Sequence, residues 1–181
     1  MNRATLGVVI VLLLILGTGG YLFFAPNRNP VVPETESGQE QTDVGRTPGE
    51  RTVNLFYYNP ALDLDAEGNV MCTDKGLVPV SRKIASMTPI EETIRLLLSG
   101  SLTAEERARG ITTEYPLPGV SLRSVVLSKN GELRIVLDDP QHRTGGGSCR
   151  VTVLWAQIRA TALQFPEVHG VSFQPEELFQ P

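Results

Sequence analysis

Ala4 to Ala25 reads ATLGVVIVLLLILGTGGYLFFA, 22 residues without a charged side chain. A helix rises about 1.5 Å per residue, so this run reaches roughly 33 Å, enough to cross a hydrocarbon core of about 30 Å. Arg3 and the amino terminus flank one end, while Glu34, Glu36, Glu40 and Asp43 follow the other. Positive-inside bias therefore predicts residues 1–3 in the cytoplasm, a transmembrane anchor over 4–25, and everything later outside. Tyr21, Phe23 and Phe24 suit the outer interface. The competing reading is a cleaved signal peptide, which needs small residues at −3 and −1. Cleavage after Ala25 puts Phe23 at −3, and cleavage after Gly19 leaves an apolar YLFF start, so the uncleaved anchor fits better. The run holds no Cys and offers no site for an N-terminal lipid.

Residues 26–52 carry Pro26, Pro30, Pro33 and Pro48 among Glu, Gln, Thr and Gly. Such a stretch cannot bury enough apolar surface to offset its ordering entropy, and is expected to be a disordered tether. As a coil its ends lie on the order of 30 Å apart.

Lys and Arg number 16 against 20 Asp and Glu, a formal net charge of −4. A nucleic-acid binder needs a basic face to neutralise phosphates, so nucleic acid is excluded as a partner. Two His and two Cys are too few to build a tetrahedral zinc site from those ligands alone.

Residues 53–181 are long enough to bury about two-thirds of their unfolded surface as one domain. VNLFYY (53–58) reads as a strand, 59–76 as a turn-rich insert, and LVPVSRKI (77–84) as a strand with one wet face. Thr88, Pro89 and Glu91 predict a capped helix start, with Ile90, Ile94, Leu97 and Leu98 on one face, an Glu91–Arg95 pair, and Gly100 at its end. Thr103 and Glu106 predict a second capping box ahead of Gly110. LRSVVLS and ELRIVLD flank Lys129-Asn130-Gly131, a strong hairpin signal. Gly145 to Gly147 leads into a helix with Val151, Leu154, Ile158 and Phe165 on one face, stopped by Pro166, and 168–173 is the last strand. The expected fold is α+β: a mainly antiparallel sheet with two helices on one face, a β-α-β-β-α-β core plus an extra N-terminal strand. A split βαβ arrangement is one candidate topology.

Three stretches in this order, VNLFYYNP, TPIEETIRLLLSGSLTAEERARGITTEYP and AQIRATALQFPEVHGVSF, resemble the GerMN family of sporulation and spore-germination domains. Gln157, Ile158, Thr161, Phe165, Pro166, Val168 and Val171 stand where the family pattern expects them. The resemblance covers nearly all of 53–181 as a single copy. It implies an extracytoplasmic, non-catalytic module that binds or helps assemble envelope partners, an envelope protein or peptidoglycan. It brings no catalytic residues.

Cys72 and Cys149 form an even count in a domain placed outside the cytoplasm, which predicts a disulfide. Closing a loop of about 77 residues, it is worth about 4 kcal/mol at most by chain entropy. Two separate buried thiols are the alternative. Asp63, Asp65, Glu67, Asn69 and Asp74 match positions 1, 3, 5, 7 and 12 of an EF-hand loop, with Gly68 at the turn, which would make calcium the one cofactor. Against it, position 12 is Asp where a bidentate Glu is usual, and no helices flank the loop. The plainer reading is a solvated acidic turn stapled by Cys72. Gly146, Gly147 and Ser148 at a helix start could receive an anion, although a flexible turn explains the glycines equally well. Phe56, Tyr57 and Tyr58 could form a binding face, but alternation sends at least part of that cluster into the core. His142 and His169 read as surface residues. Glu91-Glu92 and Asp138-Asp139 could pair as carboxylates for glycan hydrolysis, and read more simply as a solvated helix start and a strand end.

The expected function is a membrane-anchored, non-catalytic envelope module. The alternatives are an enzyme acting on the glycan or peptide of peptidoglycan, and a structural subunit assembling through sheet edges.

Overall fold

A computed structural model describes residues 49–181. The expected anchor at 4–25 and most of the expected tether at 26–52 lie outside the described residues. Among the described residues no helix is long and apolar enough to cross a membrane.

β1 (Glu50–Tyr58) pairs antiparallel with β2 (Leu77–Ala85), from Glu50 opposite Ala85 to Tyr58 opposite Leu77. It starts ahead of the expected boundary at Val53. Alternation sends Val53, Leu55 and Tyr57 into the core, with Val80 and Ile84 from β2. α1 (Pro89–Leu98) buries Ile94 and Leu97 as its periodicity requires, with Ile90 and Leu98 packed at the margin. The expected capping box at Thr88 does not form. Thr88 has ψ of 67°, far from the extended N-cap conformation, and its side chain makes no cap bond. Its amide donates to Ser86 Oγ instead, and Glu91 is engaged with Arg95 at 2.7 Å. The second box does form, at the start of α2 (Ala104–Ala108): Glu106 N donates to Thr103 Oγ1 at 3.2 Å, and Thr103 N to Glu106 Oε2 at 2.8 Å.

β3 (Ser121–Leu127) and β4 (Glu132–Asp138) make the expected hairpin around Asn130-Gly131, with Gly131 at φ +82°. α3 (Ser148–Leu163) begins at Ser148, so the strand-like RVTV stretch is helical. It leads to β5 (Gly170–Gln174), which runs parallel to β4. The order of elements is the one expected. The single mainly antiparallel sheet is not: β1 and β2 form one sheet, and β3-β4-β5 another with a parallel pair. Because β4 and β5 are direct neighbours joined through α3, the βαβ unit is unsplit.

The separation into two sheets has an identifiable cause. In β1 the alternate residues Asn54, Phe56 and Tyr58 turn their backbone groups away from β2, and both groups of Asn54 and Tyr58 and the amide of Phe56 are taken. Gln164, just after α3, accepts from Asn54 N and donates to Asn54 O; Thr161 Oγ1 accepts from Phe56 N; Tyr58 exchanges two bonds with Thr112. With these groups satisfied by Thr161, Gln164 and Thr112, the Asn54–Tyr58 part of β1 offers little free edge for a further strand. Both sheets close on one core with α1 and α3, centred on Leu55, Tyr57, Leu97, Ile135, Leu154 and Ile158. The carboxyl-terminal tail also contributes, with Phe179 edge-on to Phe173 at 4.8 Å between centroids.

Candidate functional site

The sequence features that carry chemistry converge at one end of the domain, where the insert after β1 meets the start of α3. Asn59 opens the insert. Its Oδ1 caps a 3-10 turn at Ala61 N, and its Nδ2 donates to Arg109 O, each at 3.0 Å. Asp63 then turns inward and is buried. Its carboxylate accepts from Tyr58 OH at 2.6 Å, Thr73 N at 2.5 Å and Thr73 Oγ1 at 2.7 Å. Burial pushes its pKa up, but these bonds outweigh that and hold it below the usual carboxylate range. The same contact, after burial itself, helps push the Tyr58 hydroxyl up to about 12.

The tip is a tight hairpin. Asp65 Oδ1 accepts from Glu67 N and Asn69 N, its Oδ2 accepts from Asn69 Nδ2, and its own amide donates to Asn69 O at 2.9 Å. Gly68 supplies φ +88°, and Leu64 bridges Val70. The strand then reaches Cys72, which forms the expected disulfide with Cys149 in the first turn of α3, at a Cα separation of 5.2 Å.

The residues of the calcium reading are spread over the insert. Asp63, Asp65, Glu67, Asn69 and Asp74 do not surround a common point. Asp63 faces the interior, Asp65 is bound to its own turn, and the Asn69 carbonyl is used by Asp65 N. Among the described residues no group of three or more His, Cys, Asp or Glu side chains is placed to hold a metal. An EF-hand loop wraps its oxygens around an ion over twelve positions; here the Leu64–Val70 bridge closes the loop early and leaves Asp74 in a separate 3-10 turn.

Between the insert and α3 lies a cleft of about 540 Å³, walled by Tyr58, Pro60, Thr113, Cys149, Val153 and Gln157, with Glu114 and Arg150 at its margin. Several of its polar side chains are engaged in hydrogen bonds, although Ser148 is not among them. Arg150 Nε bonds Glu114 Oε2 at 2.6 Å, and Arg150 Nη1 bonds Gly145 O. Gln157 is buried, accepting from Thr113 Oγ1 at 3.1 Å and donating to Val153 O at 3.2 Å. Gly147 and Ser148 of the expected anion site do line the cleft, with Gly147 as the N-cap of α3, whereas Gly146 (φ +137°) lies outside the lining. The nearby cation, Arg150, is already neutralised by Glu114, whose carboxylate opposes an incoming anion.

The other candidates are dispersed. Glu91 pairs with Arg95 and Asp138 with Arg123. Asp139 accepts from the amides of Arg143 and Thr144 and from Thr144 Oγ1, each at 2.8 Å, closing the loop before the glycines. His142 and His169 are exposed. Of the aromatic cluster, Tyr57 and Tyr58 are buried and Phe56 is half-buried.

Sequence reasoning missed the clip that joins β2 to α2. Arg82 grips Glu106 with two bonds of 2.8 Å and also donates to Ser101 O at 2.7 Å. The arginine is the main reason Glu106 is lowered to about 2. Tyr57 OH lies beside this pair, buried and, among the described residues, without a hydrogen-bond partner, and burial pushes it up to about 12. Also missed was the polar stripe Gln157, Thr161 and Gln164 along α3. Its signal was visible as polar residues at helical spacing among apolar ones.

A family model, Germane, described as sporulation and spore germination, matches residues 54–177. Among solved structures, the chain is similar to the tandem GerMN domains of the sporulation protein GerM from Bacillus subtilis: 18% identity, TM-score 0.49, covering 81% of this chain. This chain spans 45% of that chain's length. No curated protein matches.

Proposed function

The chain belongs to the Germane family, and on that premise we propose that it is a membrane-anchored, extracytoplasmic component of the bacterial envelope that binds or assembles without catalysis. The observation that carries this reading is the state of the 540 Å³ cleft. Glu114 is spent on Arg150, Gln157 on Thr113 and Val153, and Cys149 on Cys72. Nucleophilic catalysis pairs a hydroxyl or thiol with a nearby base; of these groups the thiol is consumed in the disulfide and the carboxylate is paired with a cation instead. The charge-free run at 4–25 supports the anchor, and a disulfide suits an oxidising compartment. In this reading the anchor fixes location, residues 26–48 set the reach, and the insert face meets an envelope protein or peptidoglycan. Incubating the full chain with peptidoglycan tests it: saturable binding with no released fragments supports the proposal, and turnover overturns it.

Assembly through sheet edges is a second reading, and a specific observation directs it to β3. The outer groups of β1 from Asn54 to Tyr58 are largely occupied, whereas β3 is an edge strand that leaves Val126 and Leu127 exposed. Val126→Lys should then abolish concentration-dependent sedimentation; unchanged association would dismiss this route.

A further inference from the structure

The insert displays apolar side chains on an unusually well-braced loop. Leu62, Leu64, Val70 and Met71 are 58%, 49%, 43% and 53% exposed. The backbone that carries them is held by the Asp63 carboxylate, the Leu64–Val70 bridge, the Asp65 turn and the Cys72–Cys149 disulfide. Residues opposite each other across a bridge project to the same side, so Leu64 and Val70 present a joint face. An apolar patch costs solubility, and bracing it removes the ordering entropy that a partner would otherwise have to overcome. Both features suit a docking surface prepared in advance.

The charges around this patch are one-sided. Within the insert itself, Asp65, Glu67 and Asp74, in addition to the buried Asp63, stand against one cation, Lys75. The hydrogen bonds from Asn69 hold the Asp65 carboxyl below its usual range, so its charge persists in mildly acidic surroundings. Negative charge beside an apolar face selects against anionic lipid and in favour of a basic partner.

We propose that the joint face of Leu64 and Val70 at the insert tip, flanked by Asp65 and Glu67, docks a protein segment that combines apolar side chains with Lys or Arg. This rests on the binding-module reading above and names the chemistry of the partner.

The test uses the full chain in phosphatidylcholine nanodiscs, titrated with a labelled peptide of alternating Leu and Lys and read by fluorescence anisotropy against empty discs. Saturable binding is expected. Leu64→Asp or Val70→Asp should weaken it by about tenfold, on the scale of losing one anchor residue. Glu67→Lys should weaken it and reduce its salt dependence, while Met87→Asp, at an exposed apolar side chain before α1, should leave it unchanged. Equal binding of a Leu–Glu peptide, equal affinity of the Leu64→Asp chain, or equal loss in Met87→Asp would overturn the proposal. So would tip-dependent binding to phosphatidylglycerol vesicles in place of the peptide, which would assign the tip to lipid. Peptidoglycan turnover would defeat the parent reading whatever the peptide does. Peptidoglycan bound without turnover, with the peptide ignored, would defeat the tip assignment alone.

Discussion

The side-chain amide of Gln164 takes both backbone hydrogen bonds of Asn54, accepting from its N–H at 2.8 Å and donating to its C=O at 2.7 Å. A single side chain thus occupies the place of a neighbouring strand. Together with Thr161 on Phe56 N, it terminates the β1–β2 sheet and docks it on α3. Gln164→Ala leaves a strand N–H and C=O without their partner. The expected loss is about 1–3 kcal/mol, seen as a lower denaturant midpoint, with faster aggregation because the β1 edge is reopened. An unchanged midpoint and aggregation rate would show that the amide does not close this edge.

The Arg82–Glu106 clip gives the domain a pH dependence of definite sign. Glu106 is depressed from 4.5 to about 2 in the folded state, so the unfolded chain binds its proton first. The stabilisation is therefore whole above about pH 4.5 and is lost as pH falls toward 2. Glu106→Gln should cost about 2 kcal/mol at pH 7 and flatten the stability profile between pH 4.5 and 2. Melting curves of both chains across that range provide the check; parallel profiles would contradict it.

Asp63 is an internal acceptor for Tyr58 and Thr73. Asp63→Asn keeps the shape but puts a donor either against both Tyr58 OH and Thr73 N or against Thr73 Oγ1. A loss of about 1–3 kcal/mol is expected, since buried donors are left without their acceptor. Calcium at millimolar concentration should leave the melting temperature of both chains unchanged. A rise in the native chain that Asp63→Asn abolishes would restore the calcium loop.

The Cys72–Cys149 bond spans a sequence separation of 77. Reduction should destabilise the domain by up to about 4 kcal/mol and release the insert, giving new protease cleavage between residues 60 and 76. Limited proteolysis with and without dithiothreitol reads this directly; identical fragments would contradict it.

Local chemistry was legible in the sequence where a few adjacent residues decide the outcome. Asn130-Gly131 marks its hairpin, Thr103 and Glu106 close their capping box, and the Ile94 and Leu97 spacing buries one face of α1. Legibility failed where a distant group competes. Thr88 and Glu91 have the right spacing for a box, but Ser86 and Arg95 take their hydrogen bonds. The insert has EF-hand spacing, but Tyr58 and Thr73 claim Asp63, and the Leu64–Val70 bridge shortens the loop. The division into two sheets depends on Thr161 and Gln164 meeting Asn54 and Phe56, a long-range match that no hydrophobic period announces. The disulfide was readable from cysteine count and expected compartment, whereas the cleft it borders required the fold.

The most direct measurement combines topology with redox state: a protease and a membrane-impermeant maleimide applied to intact cells. The domain beyond residue 48 should be digested from outside, with Cys72 and Cys149 unreactive until reduced. A protected domain, or two thiols that label freely before reduction in the native protein, would contradict an envelope module displayed on an anchored tether.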